Sequence, residues 1–259
     1  KPGASSNDST TATYDPNFVT EAESFADLQV LRYQVPGFNE LSLQQKQLAY
    51  YLYEAAQSGR DIIYDQRSKY GLMLRKTLET AYGTYKGDTT AADWKKFAEY
   101  CGRFWFSNGF HHHYGNEKFV PACSFEYFSS VIKNSDTASL PKEAGETVGA
   151  FLSRVKPLVY DLIVEPKLVD LSPGIDKVAA SSVNFYEGVT QKEVEDCYAK
   201  FSNDEKAPSW GLNSKVVKEN GEVKELIWTQ GGMYSNDIEK IIFWLEKAVT
   251  VAENAEQKK

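Results

Sequence analysis

Thr90-Ala91-Ala92-Asp93-Trp94-Lys95-Lys96-Phe97-Ala98-Glu99-Tyr100-Cys101-Gly102-Arg103-Phe104-Trp105-Phe106 runs directly into Ser107-Asn108-Gly109-Phe110-His111-His112-His113-Tyr114. Trp94, Phe97, Ala98, Cys101 and Trp105 recur at three- and four-residue spacings, the period of a helix with one bulky apolar stripe. Thr90 with Asp93 predicts a capping pair at its start. A stripe of that bulk is core packing, and it delivers the chain into a glycine- and aromatic-rich loop that holds all three histidines of the protein. Pro121 and Ser124 restart a helix through Phe125, Phe128 and Ile132, so the loop hangs between two helix ends, a common way of holding a site.

Upstream, Leu43, Leu48, Tyr51, Leu52, Ala55 and Ala56 follow a helical period behind a Ser42–Gln45 capping box, and Gly59 ends that helix. Ile62-Ile63-Tyr64 starts a short second helix. Tyr70, Leu72, Met73, Leu74 and Leu78 form a third, with a loop from Gly83 to Thr90. Downstream, Glu143 to Ile163 reads as helix broken at Pro157, and Pro166 to Gly174 as a turn-rich link. Val178 to Glu187 has strand character, and Thr190 with Glu193 caps a helix carrying Val194, Cys197, Tyr198 and Phe201. Lys215 to Trp228 predicts a hairpin, because Asn220-Gly221 between two β-rich arms is the preferred type I′ turn. A long helix follows from Ser235 through Ile238, Ile241, Trp244, Leu245, Ala248 and Val251, ahead of a polar tail from Glu253 to Lys259. The pattern is α+β, predominantly α-helical, with a small antiparallel β component near 215–228.

Residues 1–13 are nearly devoid of apolar side chains and read as a disordered polar tether, leaving 14–259 as a mainly helical domain. The chain of 259 residues begins with Lys, so a processed N-terminus is expected, either trimmed in the cytoplasm or left as a tether after export. With 42% hydrophobic and 25% charged residues the composition is that of a globular protein. A net charge of -7 with no dense Lys/Arg patch argues against nucleic acid as a partner. No apolar run approaches the roughly 18 residues of a transmembrane segment. Cys101, Cys123 and Cys197 are odd in number and widely spaced, which fits free thiols.

Three adjacent histidines suggest a metal, but adjacent side chains diverge, and no other histidine or paired cysteine exists to complete a ligand set. A histidine base for a nucleophilic serine lacks a Gly-x-Ser-x-Gly elbow, and nucleotide-binding glycine loops are missing. What the loop does offer is flat apolar faces, Phe106, Phe110 and Tyr114, alternating with Asn108, Asn116 and the histidines. That mixture suits an extended peptide or a sugar, or else a loop that only packs against a neighbouring lobe.

Glu99-Tyr100 through Pro121, with Ser107-Asn108-Gly109 and Tyr114-Gly115-Asn116-Glu117-Lys118-Phe119-Val120-Pro121, resembles the N-terminal region of dipeptidyl peptidase III. In that family a Tyr-Ser-Asn stretch is followed by a Gly-Asn-Tyr turn and then Phe-Gly-Asp-x-Lys-Phe-Val-Pro. Leu48 to Ala56 with Gly59 is similar to the family's early helix, and Val183-Asn184-Phe185-Tyr186-Glu187-Gly188-Val189-Thr190 to its Tyr-Phe-Ser-Gly-Asn-x-Thr stretch. The likeness runs over about residues 30 to 257. It implies a hydrolase of bacterial type, a two-lobed zinc aminopeptidase that releases dipeptides from short peptides, using a zinc-bound water and a glutamate base.

The family's zinc signature, His-Glu-x-x-Gly-His, is missing from these 259 residues, and family members are much longer. The resemblance therefore implies an N-terminal fragment, inactive alone, that forms part of the lobe opposite the zinc. The zinc belongs to the full-length parent, with no cofactor in this chain, and the partners are short peptides and the remaining C-terminal part of the same protein. Tyr114 stands where the family places an aromatic that lines the substrate cleft. Asn108, Phe110 and His113 join it as substrate-binding candidates by loop proximity, while the histidines replace the family's Gly-Asn-Tyr turn with one residue fewer. A stand-alone helical module binding glycans or peptides is the alternative. If the last helix packs against further chain, its outer face should be apolar and exposed.

Overall fold

The structure is a computed structural model that describes residues 14–200 and 211–259. The tether expected at 1–13, and Phe201, lie outside the described residues. The chain opens with an antiparallel pair, β1 (Glu21–Phe25) and β2 (Leu28–Leu31), in register Glu23↔Val30 and Phe25↔Leu28 with a bulge between Glu21 and Glu23. Four helices follow: α1 (Leu43–Ser58), α2 (Arg60–Arg67), α3 (Gly71–Thr84) and α4 (Ala92–Ser107). Beyond the histidine loop come α5 (Phe125–Lys133), α6 (Val148–Tyr160) and the single turn α7 (Lys177–Ala180). The last part holds β3 (Tyr186–Glu187), α8 (Gln191–Ala199), β4 (Ser214–Glu219), β5 (Glu222–Ile227) and α9 (Ser235–Thr250). The fold is α+β and mainly helical, with one two-stranded antiparallel sheet and one three-stranded mixed sheet.

The main core lies among α3, α4, α5 and α6. Leu74, Leu78 and Ala81 meet Phe97, Cys101 and Phe104, with Phe128, Val131, Phe151 and Val155 closing from the other side, all of them buried. The stripe of α4 is the centre of this packing, as its spacing requires, and Trp94 stacks on Tyr85 at 4.8 Å. Val189, Val194 and Val216 form a smaller core under the mixed sheet. There β3 runs parallel to β4 through Tyr186↔Val216, and β4 runs antiparallel to β5. Asn220 (φ 51°) and Gly221 (φ 85°) both take positive φ at the hairpin tip, the conformation a type I′ turn demands.

Helix α1 starts on the expected Ser42–Gln45 capping box and pairs with α9. Tyr51 stacks on Trp244 at 5.9 Å, and Gln44 Nε2 donates to the Val251 carbonyl at 3.0 Å. A Cβ on Gly59 would lie 3.3 Å from Ile241 Cδ1, so the glycine between α1 and α2 also admits α9 at close range. Phe243, Leu245 and Val249 of α9 remain exposed. Among the described residues no helix is long and apolar enough to cross a membrane. Cys101 and Cys123 are buried free thiols, while Cys197 is free and half-buried.

Several boundaries differ from the sequence reading, each for a local reason. Helix α6 begins at Val148 because Gly145 takes φ 78° and Thr147 provides the cap, accepting from Ala150 N at 3.2 Å. Pro157 sits inside α6 without ending it. The Thr90–Asp93 cap does not form, because Asp88 Oδ1 already holds Thr90 N at 2.8 Å and Thr90 Oγ1 at 2.6 Å, leaving Ala91 as an uncapped N-terminus. The strand expected from Val178 shrinks to Tyr186–Glu187, since Asp176 accepts from Val178 N and Ala179 N and starts α7 instead. The β1–β2 pair was not legible in the sequence at all.

Candidate functional site

Asn108 ends α4 in the left-handed region (φ 53°), and Gly109 N donates back to the Phe104 carbonyl at 2.9 Å. Asparagine tolerates that conformation better than most residues, so it acts here as the helix C-cap. From this point the loop folds into a narrow, strand-like excursion. His112 N donates to the Glu117 carbonyl at 2.8 Å and Phe119 N to the Phe110 carbonyl at 3.1 Å, with His111 bridged to Lys118. A second rung ties the loop to the link after α6, through Lys118 N on Pro166 O at 3.0 Å and Leu168 N on Asn116 O at 2.8 Å.

The three histidines have three different surroundings. His111 is 1% exposed, and its Nε2 lies 2.8 Å from the Glu165 carbonyl and 3.4 Å from Ser182 Oγ. A carbonyl only accepts, so Nε2 carries the proton and donates to Glu165 O. Ser182 Oγ in turn donates to the Lys167 carbonyl at 2.8 Å. With its nitrogen protonated and its serine already committed, this His–Ser pair does not have the arrangement of a base and nucleophile. Burial drives the His111 imidazole down to about 4, a neutral ring at physiological pH.

His112 is the clasp of the loop. Its Nδ1 accepts from Gly115 N at 2.9 Å and Tyr114 N at 3.2 Å, which assigns the proton to Nε2, 2.9 Å from Asp27 Oδ2. One ring thus closes the Tyr114 turn and joins it to the tip of the N-terminal hairpin. The hydrogen bond from His112 holds the Asp27 carboxyl below its ordinary value. Gly102 lets that hairpin seat on α4, since a Cβ there would meet Phe25 Cε2 at 2.8 Å.

His113 stacks with His112 and Tyr114 (centroids 4.4 Å from each) and meets the edge of Phe106 at 5.0 Å. Its Nδ1 is buried with no hydrogen-bond partner, and desolvation lowers its basicity. Tyr114 caps the stack with 85% of its surface exposed. Phe106 is exposed as well and lines a cavity of about 530 Å³ walled by Phe25, Trp94 and Trp105, with Glu23 and Glu99 at its edge.

Phe110 has no exposed surface and lies in the main core beneath the loop, with Lys118 Nζ 5.3 Å from its ring centroid. Of the four sequence candidates, Tyr114 and His113 stand together, Asn108 shapes the entry to the loop, and Phe110 supports it from below. Lys118 is 7% exposed, and its ammonium donates to the carbonyls of Asp161 (2.7 Å), Val164 (2.6 Å) and Pro157 (3.4 Å). It is a side-chain cap on the C-terminus of α6, where a cation also meets the negative end of the helix. Burial pushes this ammonium down to about 8.

The residues present do not fit a zinc ion. Among the described residues no three His, Cys, Asp or Glu side chains converge, and His112 already commits both ring nitrogens, Nε2 to Asp27 and Nδ1 to the backbone N–H groups of Tyr114 and Gly115. Sequence reasoning missed Asp27, Glu165 and Ser182, which hold the histidines from 85, 54 and 71 residues away. It also missed Arg67 at the end of α2, whose Nη2 reaches the His111 carbonyl at 3.5 Å. No local pattern marks any of these positions.

No protein-family model matches the chain, and no curated protein sequence matches it. Among solved structures, the chain is similar to DPP III from Caldithrix abyssi, with 15% sequence identity and a TM-score of 0.48 over 85% of this chain and 30% of that one. The chain thus spans about 30% of the length of that structure.

Proposed function

We propose that the loop from Phe106 to Tyr114 is one wall of a peptide-binding cleft, and that this chain is the non-catalytic, substrate-lining part of a zinc-dependent dipeptidyl peptidase. The observation that carries this reading is Tyr114: a tyrosine ring left 85% exposed at the end of a three-ring cluster, on a turn clasped by two backbone N–H hydrogen bonds donated to His112 Nδ1. An exposed aromatic normally gains by burial. Here it is held in place before any partner arrives, which reduces the ordering entropy lost when a ligand packs on it. The cavity beside Phe106 offers room for a side chain next to that surface.

The residue-level resemblance of Tyr114 to Pro121 supports the peptidase part of the reading. In it, zinc and the general base come from chain outside these 259 residues, and the partners are short peptides and that further chain. Asn108 and Phe110 then act through the loop's shape, and His113 as the platform under Tyr114.

Calorimetric titration of the chain with tetra-alanine amide tests the reading. Saturable binding is expected, weakened roughly tenfold by Tyr114→Ala, the scale of an aromatic anchor at an interface. The same substitution should leave the thermal midpoint unchanged, because the ring is exposed. Absence of binding, or binding indifferent to Tyr114, would overturn the proposal.

A further inference from the structure

Among the described residues, several cations withdrawn from solvent are neutralised or saturated. Arg75 pairs with Asp61 and Glu79, Arg154 with Glu146, Lys215 with Glu187, and Lys118 holds three carbonyls. Arg67 differs. It is half-buried at the C-terminal end of α2, and no carboxylate pairs with it among the described residues. Its Nε is buried with no hydrogen-bond partner, and among the described residues the one bond its guanidinium makes is the 3.5 Å contact to the His111 carbonyl. A guanidinium has five N–H donors and no acceptor, so this spot is rich in donors and short of acceptors.

The position of Arg67 ties it to the loop. A Cβ on Gly109 would lie 3.7 Å from Arg67 Nε, so the glycine leaves the guanidinium in close approach to the backbone. Desolvation, with the charge of Arg67 adding to it, holds both His111 and His113 toward the neutral form. His113 Nδ1, in the loop that Arg67 touches, is likewise buried and unpartnered. A half-buried guanidinium with a buried, unpartnered Nε is best satisfied by an anion that brings its own lone pairs.

We infer that Arg67 is the anchor of a carboxylate-binding subsite where the end of α2 meets Gly109 and His111 of the loop, and that it takes the free carboxylate of a peptide lying along that loop. The inference rests on the peptide reading above for its ligand.

Affinities of tetra-alanine and tetra-alanine amide, measured by calorimetry on the same protein, separate the two readings. The free acid should bind at least roughly tenfold more tightly than the amide, the scale of a charge-assisted hydrogen bond. Arg67→Gln should bring the ratio to about one, and Arg67→Lys, which keeps the charge but loses the fork, should retain part of it. Circular dichroism of both variants checks that they fold, and the lysine variant carries the test if the glutamine variant does not. Equal binding of acid and amide would overturn the carboxylate subsite and leave the peptide wall standing. If neither peptide binds, the peptide reading fails, and acetate titration followed on the His113 ring signals decides the subsite: shifts lost in Arg67→Gln support it, and no shifts overturn it. Phosphate that shifts those signals at lower concentration than acetate would overturn the assignment to a carboxylate.

Discussion

His111 gives this protein a definite sensitivity to low pH, and the size of its contribution follows from its surroundings. The ring is 1% exposed, and burial, with the nearby Arg67 and Lys118 charges, holds it at about 4 in the folded chain. An unfolded histidine titrates near 6.5. Between those values the unfolded state binds a proton that the native state does not, so stability falls as the pH drops from about 6.5 to about 4 and this contribution levels off below. At about 1.4 kcal/mol per unit, the full window amounts to about 3 kcal/mol.

Other carboxyl groups titrate in the same range, so the measurement is a difference between wild type and His111→Gln. The glutamine amide can still donate to the Glu165 carbonyl but cannot take up a proton. Urea unfolding at pH 7.5 and at steps down to pH 4 should show wild type losing about 3 kcal/mol more than the variant. At pH 7.5 the variant should be the less stable, by about 1 kcal/mol, because the imidazole no longer packs against Phe110. Parallel pH dependence in the two proteins would refute the reasoning, since a histidine charged in the native state, or solvated, would leave no such difference.

Two further outcomes follow from the packing. Lys118→Met should cost about 3 kcal/mol in urea unfolding, since two short charge-assisted bonds to carbonyls at and just beyond the end of α6 are lost; a cost under about 0.5 kcal/mol would show that water replaces them. Gly102→Val should cost about 1 kcal/mol by pushing Phe25 and the N-terminal hairpin off α4, and in a Phe25→Ala background that cost should vanish. An equal cost in both backgrounds would place the clash elsewhere.

The elements that could be read in advance are those whose information is local. The capping boxes at Ser42–Gln45 and Thr190–Glu193 formed as their spacing requires, and Asn220-Gly221 made the hairpin. Where a second local group competed, the reading went astray: Asp88 took the hydroxyl of Thr90, and Asp176 turned a valine-containing stretch into a helical turn. The β1–β2 pair escaped notice because its turn is Ala26-Asp27, with Ala26 at φ 50° rather than a glycine or asparagine, and because Glu21-Ala22-Glu23-Ser24 shows no strong apolar alternation.

The sequence by itself determined the helical core, since the three- and four-residue spacing of Trp94, Phe97 and Cys101 puts them on one face, and all three are buried. It also determined that the histidine loop would join two helices. What each histidine does was left to tertiary structure. Adjacent residues of the same type receive opposite surroundings when the chain reverses between them, and their partners Glu165, Asp27 and Phe106 come from the α6–α7 link, the N-terminal hairpin and α4. The unmatched charge of Arg67 is the same kind of fact: desolvation and the absence of a partner are properties of a three-dimensional neighbourhood, and no spacing along a chain records them.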